Sequence, residues 1–512
     1  MAMPLKSLGR RAVLAGLPVL LTPPLSWHRS AQAAVRRLEV VAPWELRGLE
    51  PAQSGFVFHR MQIAEALVGT DLRGALAPAL ASRWAVDPDQ TTWRFTLRSG
   101  AKFHDGTPVT AASVVSALER ARSGGGALRD APITHIRDDG ETVVIVTSRP
   151  FAPLPAYLAD FSAIILAPAA YGGDGQVREL LGTGPYRLSG REGTRRIEAE
   201  AVPEAALGIR YTAYTAVPEA ETRALMLQGG QADAAMTLSP AAWERLARAG
   251  FDMWLAAIPR VRVLKVNAAH PAFASLALRR AISLGIDRVA IARSVLRSPD
   301  LAATQLLPPG LAEWHRADLA PLRYDPVEAR RLIEAAGYAR RRDGLYAKDG
   351  RTLGFELFTY PERPELPPMA EAIQAQLREL GLEVTLRLGD SSAVVQGHRD
   401  GTLQAALIAR NFSLLPDPIG TIAADFRTGG AWGAMNWQDR DLAAAIERYE
   451  STFDASEAAD VRRSIVALLH HHLPTIPISW FDHRVGFSAR ISGAVVDPLE
   501  RSYAIDRLAW RS

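Results

Sequence analysis

The sequence predicts a mixed α/β protein with more than one structural unit. Its 512 residues exceed the size of one compact domain, which indicates two or three units. Helix-type and strand-type hydrophobic patterns alternate along the chain, as in α/β folds whose sheets are covered by helices. No short repeat period emerges from the chain.

Strand patterns are common in the first part of the chain. In TWRFTLR, residues 92–98, Trp93, Phe95 and Leu97 alternate with polar residues and therefore share one face of a strand. The elements predicted in this part are strands at 36–43, 92–98 and 141–147, a helix at 59–68, a proline-containing loop at 74–84 and a glycine surface link at 124–126.

The second part of the chain alternates helices with strands. The predicted helices are 219–228, 240–249, 276–282, 326–336, 370–380, 441–450 and 456–471. The predicted strands are 261–267, 354–358, 382–388 and 405–409. This pattern does not reveal the order of the strands in a sheet.

The N-terminal 33 residues read as an export signal. Basic residues precede the apolar run Ala12–Leu21, which is too short to span a bilayer, and Ala31-Gln32-Ala33 has the form of a cleavage site. Arg10-Arg11 resembles a twin-arginine signal although Gly9 replaces the usual Ser or Thr, and a general secretory signal is the alternative. We therefore expect a soluble, exported protein that is cleaved near Ala33.

The leader also accounts for the net charge. The chain has 59 Lys and Arg against 55 Asp and Glu, and four of the basic residues lie in residues 1–33. A cleaved chain with equal numbers of both signs has no overall attraction to nucleic acid or to anionic membranes. The sequence thus argues against a nucleic-acid-binding protein.

Several kinds of chemistry have no signature in the sequence. The chain has no cysteine, which excludes disulfides, thiolate metal sites and a cysteine nucleophile. It also lacks a Gly-x-Ser-x-Gly elbow, a phosphate-binding GxxxxGK[ST] loop, HExxH, and a GxGxxG after a strand. We expect no catalytic residues, no resident metal and no cofactor. An exported hydrolase is the alternative, since a catalytic triad need not be local in sequence.

The stretch KFHDGTPVTAASVVSALER, residues 102–120, places a histidine beside an aspartate. Asp105-Gly106 is a turn dipeptide, and Thr110 is positioned to cap the helix that follows it. No Glu or Gln stands three residues after Thr110, so a full capping box is not expected. We interpret His104 as a structural, surface-exposed residue and not as part of a catalytic pair.

Motifs in this stretch and beyond it resemble one known family. They include LAPALASRWAVDPDQTTWRFTLRSGAKFHDGTPVTAASVVSALER at 76–120, LGTGPYRL at 181–188, ETRALMLQGGQADAAM at 221–236, LRRAISLGIDRVAIARSVL at 278–296, YDPVEARRLIEAAGY at 324–338, LRELGLEVTLRL at 377–388 and LPTIPISWF at 473–481. In this order they are similar to the peptide/nickel branch (family 5) of the periplasmic solute-binding proteins of ABC importers. The resemblance covers essentially the whole chain after the leader.

The resemblance implies a periplasmic binding protein-like II fold. Two lobes would be joined by crossing hinge strands, with an extra domain inserted into one lobe. Lobe I would comprise residues 36–56, 182–257 and 476–512, the extra domain 57–181, and lobe II 258–475. The hinge is expected near Leu255–Val261 and Leu473–Ile478.

The resemblance also implies a binding function without covalent chemistry. A monomeric protein would capture a peptide or similar small solute between its lobes and deliver it to an inner-membrane permease and its ATPase. Nickel-chelate binding is the alternative within the family. Ligand sensing or a chaperone-like role without transport also remains open.

The resemblance implies that the segment ARNFSLLPDPIG, residues 409–420, lines the ligand cavity. Many peptide-binding members place an aspartate a few residues before the Asp-Pro pair, where it holds the ammonium group of the ligand. Here Ser413 to Pro416 contain no carboxylate, so either Asp417 takes that role or the ligand lacks an ammonium group.

The nickel branch suggests further candidates. Arg410, Phe412 and Asp417-Pro418 follow its order, but Ile419 replaces the histidine that can follow Asp-Pro, so direct nickel ligation is not expected. An anionic chelate held by arginine and aromatic side chains remains compatible with these residues. The ligand-binding candidates are Trp44, Arg410, Asn411, Phe412, Asp417, Trp432 and Trp437.

His470-His471-His472 is the most conspicuous candidate for a metal site. Consecutive helical residues point about 100° apart and do not converge on one ion. Leu473-Pro474 ends the predicted helix, and imidazoles near a helix C-terminus interact favourably with the helix dipole. We expect a structural role for these three residues.

Overall fold

The computed structural model describes residues 36–511. The predicted export signal at 1–33 lies outside these described residues. Helices and strands alternate within them, and the predicted mixed α/β class is confirmed. No helix in this part of the chain is both long and apolar enough to cross a membrane.

The helices and strands of the described chain are numbered in sequence order. The helices α1 to α13 are Pro51–Arg60, Ala111–Ser123, Leu154–Tyr157, Ala220–Gln228, Pro240–Arg248, Leu276–Leu284, Arg288–Ser294, Pro326–Ala335, Leu366–Leu380, Ser392–Arg399, Ile419–Ile422, Arg440–Ser451 and Ala455–His472. The strands β1 to β21 are Arg37–Ala42, Val68–Thr70, Leu76–Pro78, Ala81–Val86, Thr92–Leu97, Ile133–Asp139, Thr142–Thr147, Tyr186–Glu192, Arg196–Ala201, Tyr211–Ala216, Ala234–Ala235, Asp252–Val266, Ala339–Arg340, Tyr346–Lys348, Arg351–Thr352, Gly354–Thr359, Glu383–Leu388, Ala405–Asn411, Thr475–Phe487, Ile491–Ser492 and Ala509–Trp510.

A ten-stranded sheet runs through most of the molecule. Its strand order is β17-β16-β18-β12-β19-β11-β1-β10-β9-β8, and the long strands β12 and β19 pair antiparallel near its centre. The register of this pair shifts between Ile258 and Val261, where Pro259 has no N–H to donate to the ladder. A separate four-stranded antiparallel sheet has the order β4-β5-β7-β6.

Three large hydrophobic cores surround these sheets. The first packs α6, α8, α9, α12 and α13 against β12, β16 and β18. The second lies around β1, β9 and β10, and the third lies between the four-stranded sheet and α2. Phe412 and Leu415, which are close in sequence, lie in different cores, the first and the third. The segment after β18 therefore passes from one core to another.

Most predicted elements are present within a few residues, but two predictions in the first part were wrong. The helix expected at 59–68 is instead α1 at Pro51–Arg60. Pro51 occupies the first turn of this helix, a position that favours proline, and Gln62 ends the helical path with a φ of 57°. The loop expected at 74–84 contains β3 and most of β4. These residues form strands because β3 pairs with β2 and β4 pairs with β5. A local sequence pattern does not show such pairings.

The start of α2 also corrects two predictions. Thr110 caps the helix as expected, but a full capping box is present, because the Ser113 hydroxyl accepts from the Thr110 N–H at 3.0 Å. His104 is half-buried and not surface-exposed. Its Nε2 atom lies 2.9 Å from the carbonyl oxygen of Gly184, and burial lowers its pKa. His104 therefore fastens the turn to the strand that follows Gly184.

Candidate functional site

Three cavities adjoin one another through shared lining residues, and the first of them borders β19. The first, called the inner cavity, is lined by Trp44, Arg60, His483 and Glu500, among others. The second, the middle cavity, shares Arg60 and Glu500 with the first. Each of these two cavities has a volume of about 20 Å³.

The third cavity, called the outer chamber, is much larger. It shares Phe161 and Leu414 with the middle cavity and has a volume of about 330 Å³. Its walls come from the segment that contains Gly125 and Gly126 and from the segment between Gly420 and Thr428. The three cavities share lining residues and therefore extend together from Trp44 to Arg427. The volume of the outer chamber lies within the range of small-molecule pockets.

Distant parts of the chain position the side chains around the inner cavity. Trp44 follows the end of β1, His483 lies on β19, and Glu500 lies in the C-terminal segment. Arg260, on β12, does not line the cavity itself but binds Glu500. Glu500 has a φ of 54°, which is unfavourable for a residue with a side chain. The fold therefore holds this carboxylate in a strained backbone conformation next to the cavity.

Arg363 is the buried cation with the fewest partners in this region. It precedes α9, is 5% exposed, and has its guanidinium carbon 5.1 Å from the Trp44 ring centroid and 5.3 Å from that of Phe481. Its Nη1 atom has no hydrogen-bond partner within residues 36–511, and no described carboxylate forms an ion pair with it. Aromatic faces attract a cation but do not replace the hydrogen bonds of a buried guanidinium.

Arg260 is paired, but only in part. One of its terminal nitrogens binds Glu500, whose other carboxylate oxygen lies 2.8 Å from His483 Nδ1, whereas Arg260 Nη1 has no partner in the described chain. Burial, and then the neighbouring charge of Arg363, lower the pKa of Arg260 to about 10. We call Trp44, Arg260, Arg363, Phe481 and Glu500 the inner cluster.

The same surroundings lower the pKa of Glu500 as well, but for a different reason. Burial alone would raise the pKa of Glu500, but Arg260, His483 and Arg60 together hold it well below its usual value. The carboxylate is therefore ionised, and its charge is shared by several cations. Within the inner cluster, this one carboxylate stands against the two guanidinium groups of Arg260 and Arg363.

Other unpartnered buried polar atoms lie next to the middle cavity. They are Arg501 Nε, His59 Nδ1 and Ser413 Oγ. Burial, and then the charge of Arg501, lower the pKa of His59 to about 3, so this ring is neutral. The unpartnered guanidinium nitrogens of Arg501, Arg260 and Arg363 are hydrogen-bond donors, and such donors suit an anion, above all a carboxylate.

The arginines of the outer chamber are already neutralised. Arg410 binds both carboxylate oxygens of Asp425, at 2.6 and 2.7 Å, and Arg427 lies 2.7 Å from Glu450. Glu450 also binds Arg149 at 2.6 Å. The side chains of Asp425 and Glu450 are almost completely buried, so these pairs hold the chamber wall together.

The structure brings three of the sequence-predicted site residues to these cavities. Trp44 lines the inner cavity, Asn411 lines the middle cavity and Arg410 lines the outer chamber. Phe412 is 1% exposed and lies in the first core, and Trp432 packs against that core.

The remaining predicted residues lie elsewhere. Trp437 lines a different cavity, together with His398 and Asn436. Asp417 accepts hydrogen bonds from the Ile419 N–H and the Tyr449 hydroxyl, and burial raises its pKa to about 6. It therefore serves the start of α11 and does not line any of the three cavities.

Sequence reasoning missed Arg260, Arg363 and Glu500. Arg260 is one of several arginines in a strand, and Arg363 lies in an unremarkable Pro-Glu-Arg-Pro stretch. The only local signal was the pair of prolines around Arg363, which indicates a rigid loop but not a ligand. Their shared location depends on contacts between distant segments.

The three consecutive histidines have three different partners. His470 Nε2 lies 2.9 Å from the Ala320 carbonyl oxygen, His471 Nδ1 lies 3.1 Å from Arg280, and His472 Nε2 lies 3.3 Å from Asp439. Each ring thus fastens the end of α13 to a neighbouring element. In the part of the chain that the structure describes, no group of three or more His, Asp or Glu is arranged to hold a metal ion.

Comparison with known proteins identifies the family. The model of the bacterial extracellular solute-binding proteins, family 5, matches residues 75–432. The glutathione-binding protein GsiB of Salmonella typhi is 25% identical over 450 residues, which are 81% of this chain and 82% of that protein. The chain therefore belongs to the family 5 solute-binding proteins. It is a solute-binding protein and not an enzyme.

Solved structures show the same fold. NikA from Staphylococcus aureus in complex with Ni(L-His)2 matches with a TM-score of 0.80 and 19% identity, over 93% of this chain and 100% of that one. The dipeptide-binding protein of Pseudoalteromonas sp. SM9913 in complex with Met-Leu gives the same TM-score, identity and coverage. At this identity the likeness establishes the fold, and the ligands of those proteins remain statements about them.

Proposed function

We propose that this chain is the periplasmic substrate-binding component of an ABC importer, and that it captures a carboxylate-bearing peptide or similar small solute. The solute would be enclosed between two lobes and delivered to a membrane permease and its ATPase. Export would use the leader at 1–33, with cleavage near Ala33. The single observation that carries the proposed ligand class is the buried, unpaired guanidinium of Arg363.

The proposed lobes follow the boundaries given above. The first core is built almost entirely from residues of the proposed lobe II, and the four-stranded sheet of the proposed extra domain has a core of its own. β12 and β19 pass between the first and second cores. The register shift at Pro259 supports a hinge near Leu255–Val261, because a broken ladder bends more easily than a regular one.

A carboxylate at the inner cluster would favour closure of the two lobes. Arg363 belongs to the proposed lobe II, whereas Trp44 and Glu500 belong to the proposed lobe I. A ligand that contacts both sides binds the closed form more tightly than the open form and therefore shifts the equilibrium toward closure. Without such an anion, the closed form buries an unpaired cation at a cost in free energy.

A nickel chelate is the second candidate ligand. The inner cluster recognises a carboxylate whatever molecule carries it, and a chelator that supplies all the metal ligands would need none from the protein. The absence of a metal-ligand group within residues 36–511 is compatible with this mode of binding. Metal analysis of the bound solute separates the two candidates.

Native mass spectrometry of the mature protein purified from the periplasm tests the proposal. We expect a bound solute that carries a carboxylate, and we expect Arg363→Met to lose it. Arg387→Met is the matched control, because Arg387 also lies over an aromatic ring, that of Phe358, but is exposed and paired with Glu356. Equal retention of the solute by Arg363→Met and the wild type would contradict the proposed site.

A further inference from the structure

We infer that Asp160 determines the specificity of the outer chamber by binding an ammonium group of the solute. This inference rests on the proposed function and narrows the class of solute to one that carries an ammonium group as well as a carboxylate. The carboxylate would lie at the inner cluster and the ammonium group in the chamber. Asp160 follows α3 and belongs to the proposed extra domain.

The two carboxylate oxygens of Asp160 have different surroundings. Oδ1 accepts both hydrogen bonds from Ser162, one from its backbone N–H at 2.9 Å and one from its hydroxyl. Oδ2 accepts no hydrogen bond from the described residues, and it is not one of the unpartnered atoms that this part of the chain seals from solvent. Asp160 lines the outer chamber although it is only 3% exposed. The free oxygen therefore faces the chamber.

Asp160 also lacks a cationic partner. It forms no ion pair within residues 36–511, and the guanidinium of Arg501, whose charge reaches it, donates instead to the carbonyl oxygens of Ala159 and Leu414. Burial raises the pKa of Asp160, and the hydrogen bonds from Ser162 and the charge of Arg501 oppose this rise only in part. A buried carboxylate without an ion pair is costly, and a cation beside Oδ2 would stabilise its ionised form.

The other carboxylates around the chamber offer no equivalent site. Asp425 is bound through both oxygens by one arginine, and Glu450 is bound by two arginines. Asp130 also lines the chamber, but it is exposed and lies 3.8 Å from Arg129, where water and salt weaken charge interactions. Among the described residues, Asp160 is therefore the carboxylate of the chamber lining that is both buried and unpaired.

The surroundings of Oδ2 suit an ammonium group better than a metal ion or a guanidinium. Within residues 36–511, no group of three or more His, Asp or Glu is arranged to hold a metal ion. A guanidinium prefers to bind both oxygens of a carboxylate, as Arg410 binds Asp425, whereas Asp160 offers only one. Tyr157 and Phe161 also line the chamber, and the faces of such rings attract a compact cation.

The experiment offers the unloaded mature protein alanine peptides of different lengths, from the dipeptide to the pentapeptide, each in a free and an N-acetylated form. Acetylation keeps the carboxylate and removes only the ammonium charge, and the length series includes peptides of different reach. Native mass spectrometry at neutral pH quantifies the retained peptides. We expect the free form of at least one length to be retained about tenfold or more above its acetylated form, because losing one partner of a buried charge pair is costly.

The possible results for the wild type separate the inference from the proposed function. Equal retention of the two forms at every length, or stronger retention of the acetylated forms, overturns the inference and leaves the carboxylate site standing. Retention of no peptide overturns the inference together with the peptide class of solute. In Arg363→Met both forms should be lost, and their full retention would contradict the carboxylate site of the proposed function instead.

Asp160→Asn assigns the effect to one oxygen. The amide keeps an acceptor for Ser162, whereas an NH2 group in place of Oδ2 cannot accept from an ammonium group. We expect retention of the free peptides to fall to that of the acetylated peptides, which should be unchanged. Asp130→Asn is the control on the same chamber wall and should keep the wild-type preference. An undiminished preference in Asp160→Asn overturns the inference, and circular dichroism verifies that both variants are folded.

Discussion

The inner cluster and the outer chamber both contain two arginines, but they use them differently. In the chamber, Arg410 and Arg427 each face a carboxylate that is almost completely buried. In the inner cluster, Arg260 and Arg363 have only Glu500 between them, and only Arg260 is bonded to it. An arginine beside a cavity is therefore a ligand candidate only if its guanidinium is not already paired. The difference separates a wall held together by ion pairs from a site that a ligand completes.

The largest expected effect tests the single carboxylate of the inner cluster. Glu500→Gln keeps the shape of the side chain but leaves Arg260 and its neighbours without a counter-charge. We expect the free energy of unfolding of the unliganded protein to fall by about 3–5 kcal/mol, the range for breaking a buried pair. Urea unfolding measures it, with Glu221→Gln as control, because Glu221 forms an exposed pair with Arg245. An equal, small loss of unfolding free energy in Glu500→Gln and Glu221→Gln would show that solvent screens the charges of the inner cluster.

The comparison becomes sharper when one arginine is removed from each region. Arg410→Met leaves Asp425 buried without its guanidinium and should cost about 3 kcal/mol of stability, at the lower end of the range because Lys265 lies close enough to compensate in part. Arg363→Met removes an unpaired buried cation and should leave stability unchanged or raised. Thermal unfolding of the ligand-free variants separates the two outcomes. The reverse order would contradict the distinction between the two regions.

A third prediction concerns Asp417, a half-buried carboxylate outside both regions. The pKa of Asp417 is raised to about 6 in the folded protein, so between about pH 4 and pH 6 the folded chain binds more protons than the unfolded chain. Stability should therefore fall as the pH rises through this window. Asp417→Asn should remove this dependence and stabilise the protein by about 1–3 kcal/mol at pH 7–8, since each pKa unit corresponds to about 1.4 kcal/mol. Melting temperatures of both proteins from pH 4 to pH 8 provide the test, and parallel curves would be evidence against it.

The smallest effect is expected where a carboxylate has two arginine partners. Arg427→Met leaves Glu450 paired with Arg149, so we expect a loss of only about 1 kcal/mol. Thermal unfolding next to Arg410→Met gives the comparison within one wall of the chamber. A loss as large as that of Arg410→Met would mean that Arg149 does not replace its neighbour.

Some features of this protein were predictable from local sequence alone. The alternation of Trp93, Phe95 and Leu97 predicted β5, and the hydrophobic pattern of 456–471 predicted α13 within one residue at each end. The ordered motifs predicted the family, and the comparisons confirm it. These features depend on neighbouring residues, whose periodicity and turn chemistry can be read directly from the chain.

Other features required the tertiary structure. The capping box at Thr110 uses Ser113, a residue that the usual pattern does not include, and the partners of β3 and β4 are not visible in their own sequence. Sequence reasoning selected Arg410 and passed over Arg363. Only the fold shows that Asp425 neutralises Arg410, whereas Trp44 and Phe481 surround Arg363 without neutralising it. Charge pairing and burial depend on contacts between distant segments, and therefore the tertiary structure decided which arginine is free to bind a ligand.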